Sequence, residues 1–401
     1  MASAGRFVGR CELASDHFSR DVFHQSFFPS LKMPIELVDT GLVYRNPKPF
    51  LCAKHTWHPS LALLPNGELL CGFDIGQAVE SLDYRTYTAR STDGGATWTE
   101  PSRLIPDTAG RPSTHSIRLG QLNDGTLIGI GGQYYRDNPE EGLTNRENLG
   151  FVPMDVITIT SRDGGQSWSP PRILKTPIIG PAFEVCHKVI ELRDGRVLAP
   201  TATWKGWNGE APHGMQAGAF VSHDRGETWP EWLPIINQWD REIVSWEQGL
   251  TQLADGRLLC IVWSFDSRAG KSLPNKYAIS SDGKTFSPPL ENGMQGETAK
   301  IITLKDGSVM CLYRRLDQPG LWASQVRIEG DDWRQIAETC AWQGPKSGLL
   351  GEWKSASDEL SALKFGFPSL VQLPDGDVFA VFWCHENSVN NIRWVRLRVL
   401  K

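Results

Sequence analysis

The chain has 401 residues, and 46 Asp and Glu against 41 Lys and Arg give it a net charge of −5 with no long basic run. That excludes the electrostatic footprint of a nucleic-acid or anionic-membrane binder. No stretch of 18 apolar residues occurs and the N-terminus has no apolar signal core, so neither a membrane helix nor secretion is expected.

The turn residues, 39 Gly and 26 Pro, favour many short strands over long helices. In chain order, residues 1–32 read as an N-terminal extension with no sustained strand periodicity, and 33–401 as one repeat-built domain. The first predicted strand, Ile35–Tyr44, stands alone before any hairpin. One pattern then recurs six times: an apolar run, a turn ending in Asn-Gly or Asp-Gly, and a second apolar run. The copies are HPSLALLPNGELLCGF, SIRLGQLNDGTLIGIGG, HKVIELRDGRVLAPTA, GLTQLADGRLLCIVW, AKIITLKDGSVMCLY and PSLVQLPDGDVFAVFW. Their turn glycines are Gly67, Gly125, Gly195, Gly256, Gly307 and Gly376. Such dipeptides mark hairpins because a tight turn needs a positive φ. Each copy therefore supplies the two inner strands of a repeat unit.

A third strand follows each hairpin: YTARS, ITITS, GAFVS, YAISS, LWASQV and IRWVRLRV. Three of them run into STDGGATW, SRDGGQSW and SHDRGETW, and a fourth into the shorter SSDGKTF. In each of these boxes the Asp is suited to hold its own loop, and Trp98, Trp168 and Trp229 to pack between units. Six radial four-stranded antiparallel units predict an all-β, six-bladed β-propeller. The last copy has no room for a fourth strand, so Ile35–Tyr44 is expected to close the ring there.

The residue four after each turn glycine is small in every copy: Cys71, Gly129, Ala199, Cys260, Cys311 and Ala380. The cysteines in that column read as packing residues, and the eight Cys as buried free thiols rather than disulfides or metal ligands. A reducing, cytoplasmic location is the corresponding expectation; no cofactor or metal is implied.

The boxes and hairpin turns share one face. The opposite face gathers the starts of the first strands and the ends of the second strands around the axis. Candidate catalytic residues there are Glu247, Glu297, Glu184 and Asp74. Candidate substrate-binding residues are Trp57, His58, His115, Arg314, Trp204, Trp246, Trp263 and Phe367. Paired carboxyls with aromatic faces are what glycoside hydrolysis requires. The long Gln133–Asp155 loop reads as a lid or subsite.

The hairpins and Asp boxes resemble the sialidase (neuraminidase) superfamily over roughly residues 33–401. The resemblance implies the propeller, and a catalytic Glu nine residues before the fourth turn glycine, which is Glu247. It also implies groups that this sequence lacks. Trp57-His58-Pro59 replaces the family's Arg-Ile-Pro, Trp263 replaces a second arginine, and Phe367 replaces the nucleophilic Tyr. An arginine occurs instead at Arg314. The family's acid/base Asp would fall among Asp74, Glu80 and Asp83. These losses imply a substrate without the sialic acid carboxylate. The expected function is an exo-acting glycoside hydrolase on an aldose or uronic acid glycoside. A lyase using His58 or His115 with a Tyr such as Tyr134, or a non-catalytic carbohydrate-binding propeller, are the alternatives. The only partner expected is the carbohydrate substrate.

Overall fold

A computed structural model describes residues 35–107, 110–315, 317–343 and 364–400. The predicted extension, residues 1–32, lies outside the described residues.

Six antiparallel sheets follow one another along the chain. Blade one, for example, pairs His55–Leu63, Leu69–Gly76, Arg85–Ser91 and Ser102–Arg103 in order. The last sheet is assembled from both ends of the chain. Ile35–Tyr44 pairs antiparallel with Val389–Val399, and Ile35 lies opposite Val399. The ring closes as the sequence predicts, because Val389–Val399 would otherwise leave an open edge. Among the described residues no helix is long and apolar enough to cross a membrane.

Each hairpin turn has its glycine at positive φ, from 81° at Gly307 to 98° at Gly256. The small column is closed: Cys71, Ala199, Cys260, Cys311 and Ala380 are fully buried. A Cβ on Gly129 would approach Ile159 to 2.7 Å. The described cysteines are all free thiols.

The Asp boxes lock the outer turns. Asp163 accepts hydrogen bonds from the Ser161 and Ser167 hydroxyls and from the Gln166 and Ser167 amides. Gly95, Gly165 and Gly226 of three boxes have positive φ, and each presses against the preceding blade, on Phe379, Leu70 and Ile128. The boxes thus act as spacers between blades, on the face away from the site described next.

Candidate active site

Cross-strand pairing places the predicted residues side by side. Trp57 pairs with Asp74, Trp246 with Trp263, Glu297 with Arg314 and Ala182 with Trp204. In four of six blades the first strand is then interrupted by a bulge. The register shifts between Trp57 and Ser60, Trp246 and Gly249, Glu297 and Lys300, and Gly366 and Ser369. At each bulge one residue takes a left-handed conformation: His58 (φ 48°), Glu247 (43°), Thr298 (52°) and Phe367 (53°). All four stand nine residues before their turn glycine. Such backbone costs about 1–3 kcal/mol per residue and is characteristic of functional sites. Blade three lacks this bulge. Its first strand breaks instead between Ala182–Glu184 and Ile190–Glu191.

Glu184 and Glu247 are the carboxyls this arrangement leaves available. Both residues are partly exposed, while Oε2 of each is buried and has no hydrogen-bond partner. Burial raises the Glu247 pKa to about 7; the Lys300 ammonium opposes the shift and Glu184 adds to it. Glu184 is also raised, again chiefly by burial and against Lys300. An ionised Glu184 raises the Glu247 pKa further, so the pair resists double ionisation. Lys300 donates to the Glu247 and Gln248 carbonyls at 2.9 and 3.0 Å, which fixes its ammonium beside the pair.

Across the axis stands a second cluster. Asp74 is fully buried and accepts from Thr86 Oγ1 (2.6 Å), Ser116 Oγ (2.6 Å), Tyr84 Oη (3.0 Å) and Arg118 Nη2 (3.1 Å). Burial works against its charge, but Arg118 and the hydrogen-bonding side chains outweigh it and hold its pKa down to about 2. Tyr84 Oη also lies 2.6 Å from His58 Nδ1. Burial lowers the His58 pKa, so the ring is neutral. Phe367 packs against the His58 ring, with the Arg118 and Lys300 charges 5.2 and 5.0 Å from its centroid.

The structure redistributes the other expected site residues. Glu297, expected as the partner of Glu247, is fully buried, and Arg314 holds it through Nε at 2.9 Å and Nη2 at 2.7 Å. Arg314 is buried as well and also donates to the Phe365 carbonyl, so it presents no free guanidinium to a sugar. Asp74 has no exposed surface for proton transfer to a substrate. His115 is buried between blades one and two, 3.5 Å from the Thr86 amide. Trp57 is buried against Tyr84. Trp204, Trp246 and Trp263 stack in succession at 4.7 and 4.5 Å, with Phe151 on the far side of Trp204. Trp204 and Trp263 are buried and only Trp246 is partly open, so the stack is a wall with one exposed ring. Tyr134 packs edge-on to Phe151 and does not meet His58.

The segment between the strands Leu127–Tyr135 and Met154–Ser161 is tied to neighbouring loops. Its Leu143 amide donates to Glu80, Asn145 and Asn148 donate to the Trp207 carbonyl, and Phe151 bridges to Gly206. Glu80 is thereby occupied, and Asp83 caps the Gln77 amide.

Sequence reasoning missed Tyr84, Arg118, Lys188 and Lys300. Three of these stand in a column seven residues before the turn glycine, which reads Ser60, Arg118, Lys188, Gly249, Lys300 and Ser369. Three cations at one repeat position of a radial fold are a legible signal, since equivalent positions of the first strands converge on the axis.

The family model described as BNR repeat-like domain matches residues 143–380, more than half of the chain. The chain belongs to the BNR repeat-like domain family. No curated protein matches it. Among solved structures, a protein of unknown function from Dyadobacter fermentans is 21% identical, with TM-score 0.70, over 91% of this chain and 99% of that one. The NanB sialidase from Streptococcus pneumoniae is 14% identical, with TM-score 0.60, over 90% and 70%. The α-L-arabinanase of Penicillium chrysogenum, complexed with arabinobiose, is 16% identical, with TM-score 0.62, over 91% and 98%. At these identities the likeness establishes the fold alone, a sialidase-like BNR propeller.

Proposed function

We propose that this chain is an exo-acting glycoside hydrolase that cleaves an aldose or uronic acid glycoside other than a sialoside. The observation that carries the reading is the Glu184–Glu247 pair, each with one buried, unpartnered carboxyl oxygen, beside a wall of stacked tryptophans. Glu247 keeps its proton to about pH 7 and is suited to protonate the leaving oxygen. Glu184 then acts as nucleophile or base, its charge favoured by Lys300 once Glu247 holds the shared proton. The long loop tied down on one side suits a chain end better than the middle of a polymer.

Glu247→Gln keeps shape and removes the proton. Turnover of an aryl glycoside should fall at least about 100-fold. Near-normal turnover would sink the assignment. The sialoside reading is disfavoured by Phe367 at the nucleophile's position, and a standard fluorogenic sialoside should be left essentially intact. A lyase has one observation in its favour, the 2.6 Å contact of His58 with Tyr84. Release of an unsaturated product absorbing in the ultraviolet would identify it.

A further inference from the structure

We propose that the propeller axis binds a small monovalent inorganic anion, of halide size, between Lys188 and Lys300 in a cavity beneath the mouth. The site is separate from the Glu184–Glu247 pair and does not depend on the glycoside hydrolase reading.

Phe367 joins the two places: it packs against the His58 ring and also lines the cavity. The cavity has a volume of about 80 Å³ and is lined by Lys188, Lys300 and Arg118 together with the hydroxyl-bearing Ser60, Thr251 and Ser369. A water needs roughly 10–15 Å³ by the same measure, so an ion and a few waters fit. A sugar ring does not, since pockets for organic ligands run to about 300–1,000 Å³. The three cations occupy one repeat position in blades two, three and five, and the radial fold brings them to the axis. A wider cavity of about 300 Å³ adjoins along Ile190, Thr251 and Ile302 and reaches Asn123 and Arg193 beside the hairpin turns. An ion can therefore enter from the face away from the mouth.

The positive charge in this cavity is unmet. The Lys188 ammonium donates to the Leu61 and Leu370 carbonyls at 2.8 and 3.1 Å. The Lys300 ammonium donates to the Glu247 and Gln248 carbonyls at 2.9 and 3.0 Å. An ammonium has three protons, so each lysine keeps one to give. Carbonyls satisfy hydrogen bonds without cancelling charge, and among the described residues neither ammonium makes an ion pair. Burial alone lowers the Lys188 pKa to about 8, as expected of a cation with no counter-charge. Arg118 is paired with Asp74, yet its buried Nε has no partner and is a further donor on the lining. Glu184 and Glu247 act on Lys300 from the mouth, but no carboxylate lines the cavity. Buried charges are ordinarily paired. One small anion would take the spare protons and supply the missing negative charge.

The test uses the full chain dialysed into sodium gluconate, whose anion is too large for the cavity. Sodium chloride is titrated in at constant ionic strength, and the chlorine NMR linewidth is read. Saturable broadening that bromide reverses is expected. Lys188→Gln keeps a donor for the carbonyls and loses the charge; it should weaken chloride binding at least about tenfold. Affinity should also fall as pH rises from about 7 to 9, because Glu184 and Glu247 gain charge beside Lys300 and Lys188 loses its proton. His187, pushed down to about 3, and Cys186, pushed up, stay neutral over that range. Broadening without saturation, equal binding by the parent and Lys188→Gln, affinity that rises with pH, or tighter binding of sulfate than of chloride would each overturn the proposal. If Lys188→Gln does not fold, parent crystals soaked in bromide decide. An anomalous peak within hydrogen-bond reach of both ammoniums upholds the site, and the absence of a peak there overturns it.

Discussion

At the scale of single residues, two carboxyls in different surroundings, Glu247 and Asp74, make opposite demands on pH. Glu247 binds its proton more tightly in the folded chain, with a pKa near 7 against the ordinary 4.5. Between those values the native state holds more protons than the unfolded one, so this group's contribution to stability is complete below about pH 4.5 and is lost as pH rises through 7. Asp74, held down to about 2, contributes above its ordinary value of 3.8 and loses that contribution as pH falls towards 2. We expect kcat to decline above about pH 7 as the Glu247 acid ionises. We also expect Glu247→Gln, compared with the parent chain by urea denaturation, to be relatively more stable at pH 8 than at pH 5. A stability difference that does not change with pH would contradict the raised pKa. The Glu297–Arg314 pair calls for a different measurement. Glu297→Ala strands the buried guanidinium and should cost about 3–5 kcal/mol in the same denaturation experiment. A loss below 1 kcal/mol would show that the guanidinium finds another partner or reaches water.

Legibility at this scale depended on whether a residue had repeat-equivalents. Glu247 was found through the family resemblance, which places a catalytic Glu nine residues before the fourth turn glycine, Gly256. Tyr84 lies between the second and third strands of blade one, where nothing in the other blades marks it. Glu297 and Arg314 were placed at the start of the first strand and the end of the second strand of blade five, where they do lie opposite each other, yet their burial depends on how side chains turn at the bulge. Their types and positions alone did not show that they neutralise each other.

The element that turns a repeat scaffold into a site is the bulged first strand. Without the bulge, strict alternation would carry a residue's side chain to one side of the sheet for the strand's whole length. A left-handed residue at the bulge re-aims it. This explains why the fold was readable from turn glycines and boxes, whereas the bulge, formed by His, Glu, Thr and Phe with no glycine signal, was not. The boxes are separate from this machinery and can be tested separately. Gly165 has φ of 83°, and a Cβ there would sit 2.8 Å from Leu70 of the preceding blade. Gly165→Ala should therefore cost about 1–3 kcal/mol and leave kcat within about twofold. A large fall in kcat with stability unchanged would mean that the boxes do more than space the blades.

At the scale of the whole molecule, the ring is held by a strand that joins the two ends of the chain, and its stability should depend on that closure. Ile35, at the start of Ile35–Tyr44, is 1% exposed and belongs to a buried cluster with Leu397, Val395, Met310 and Leu312, a cluster that spans blades five and six. Leu37, two residues on, is 41% exposed. Alanine at the buried position removes methyl groups from a seam between blades, and such truncations typically cost about 2–5 kcal/mol. Alanine at Leu37 should cost less than about 1 kcal/mol. Because the closing strand pairs with Val389–Val399, which lies beside the strand Val378–Glu386 and through it Phe365–Gln372, loosening it also frees the strand that carries Phe367. Urea unfolding followed by tryptophan fluorescence and by loss of glycoside binding should therefore shift together in Ile35→Ala. If fluorescence shifted while binding held to the parental midpoint, the mouth would be independent of the ring's closure.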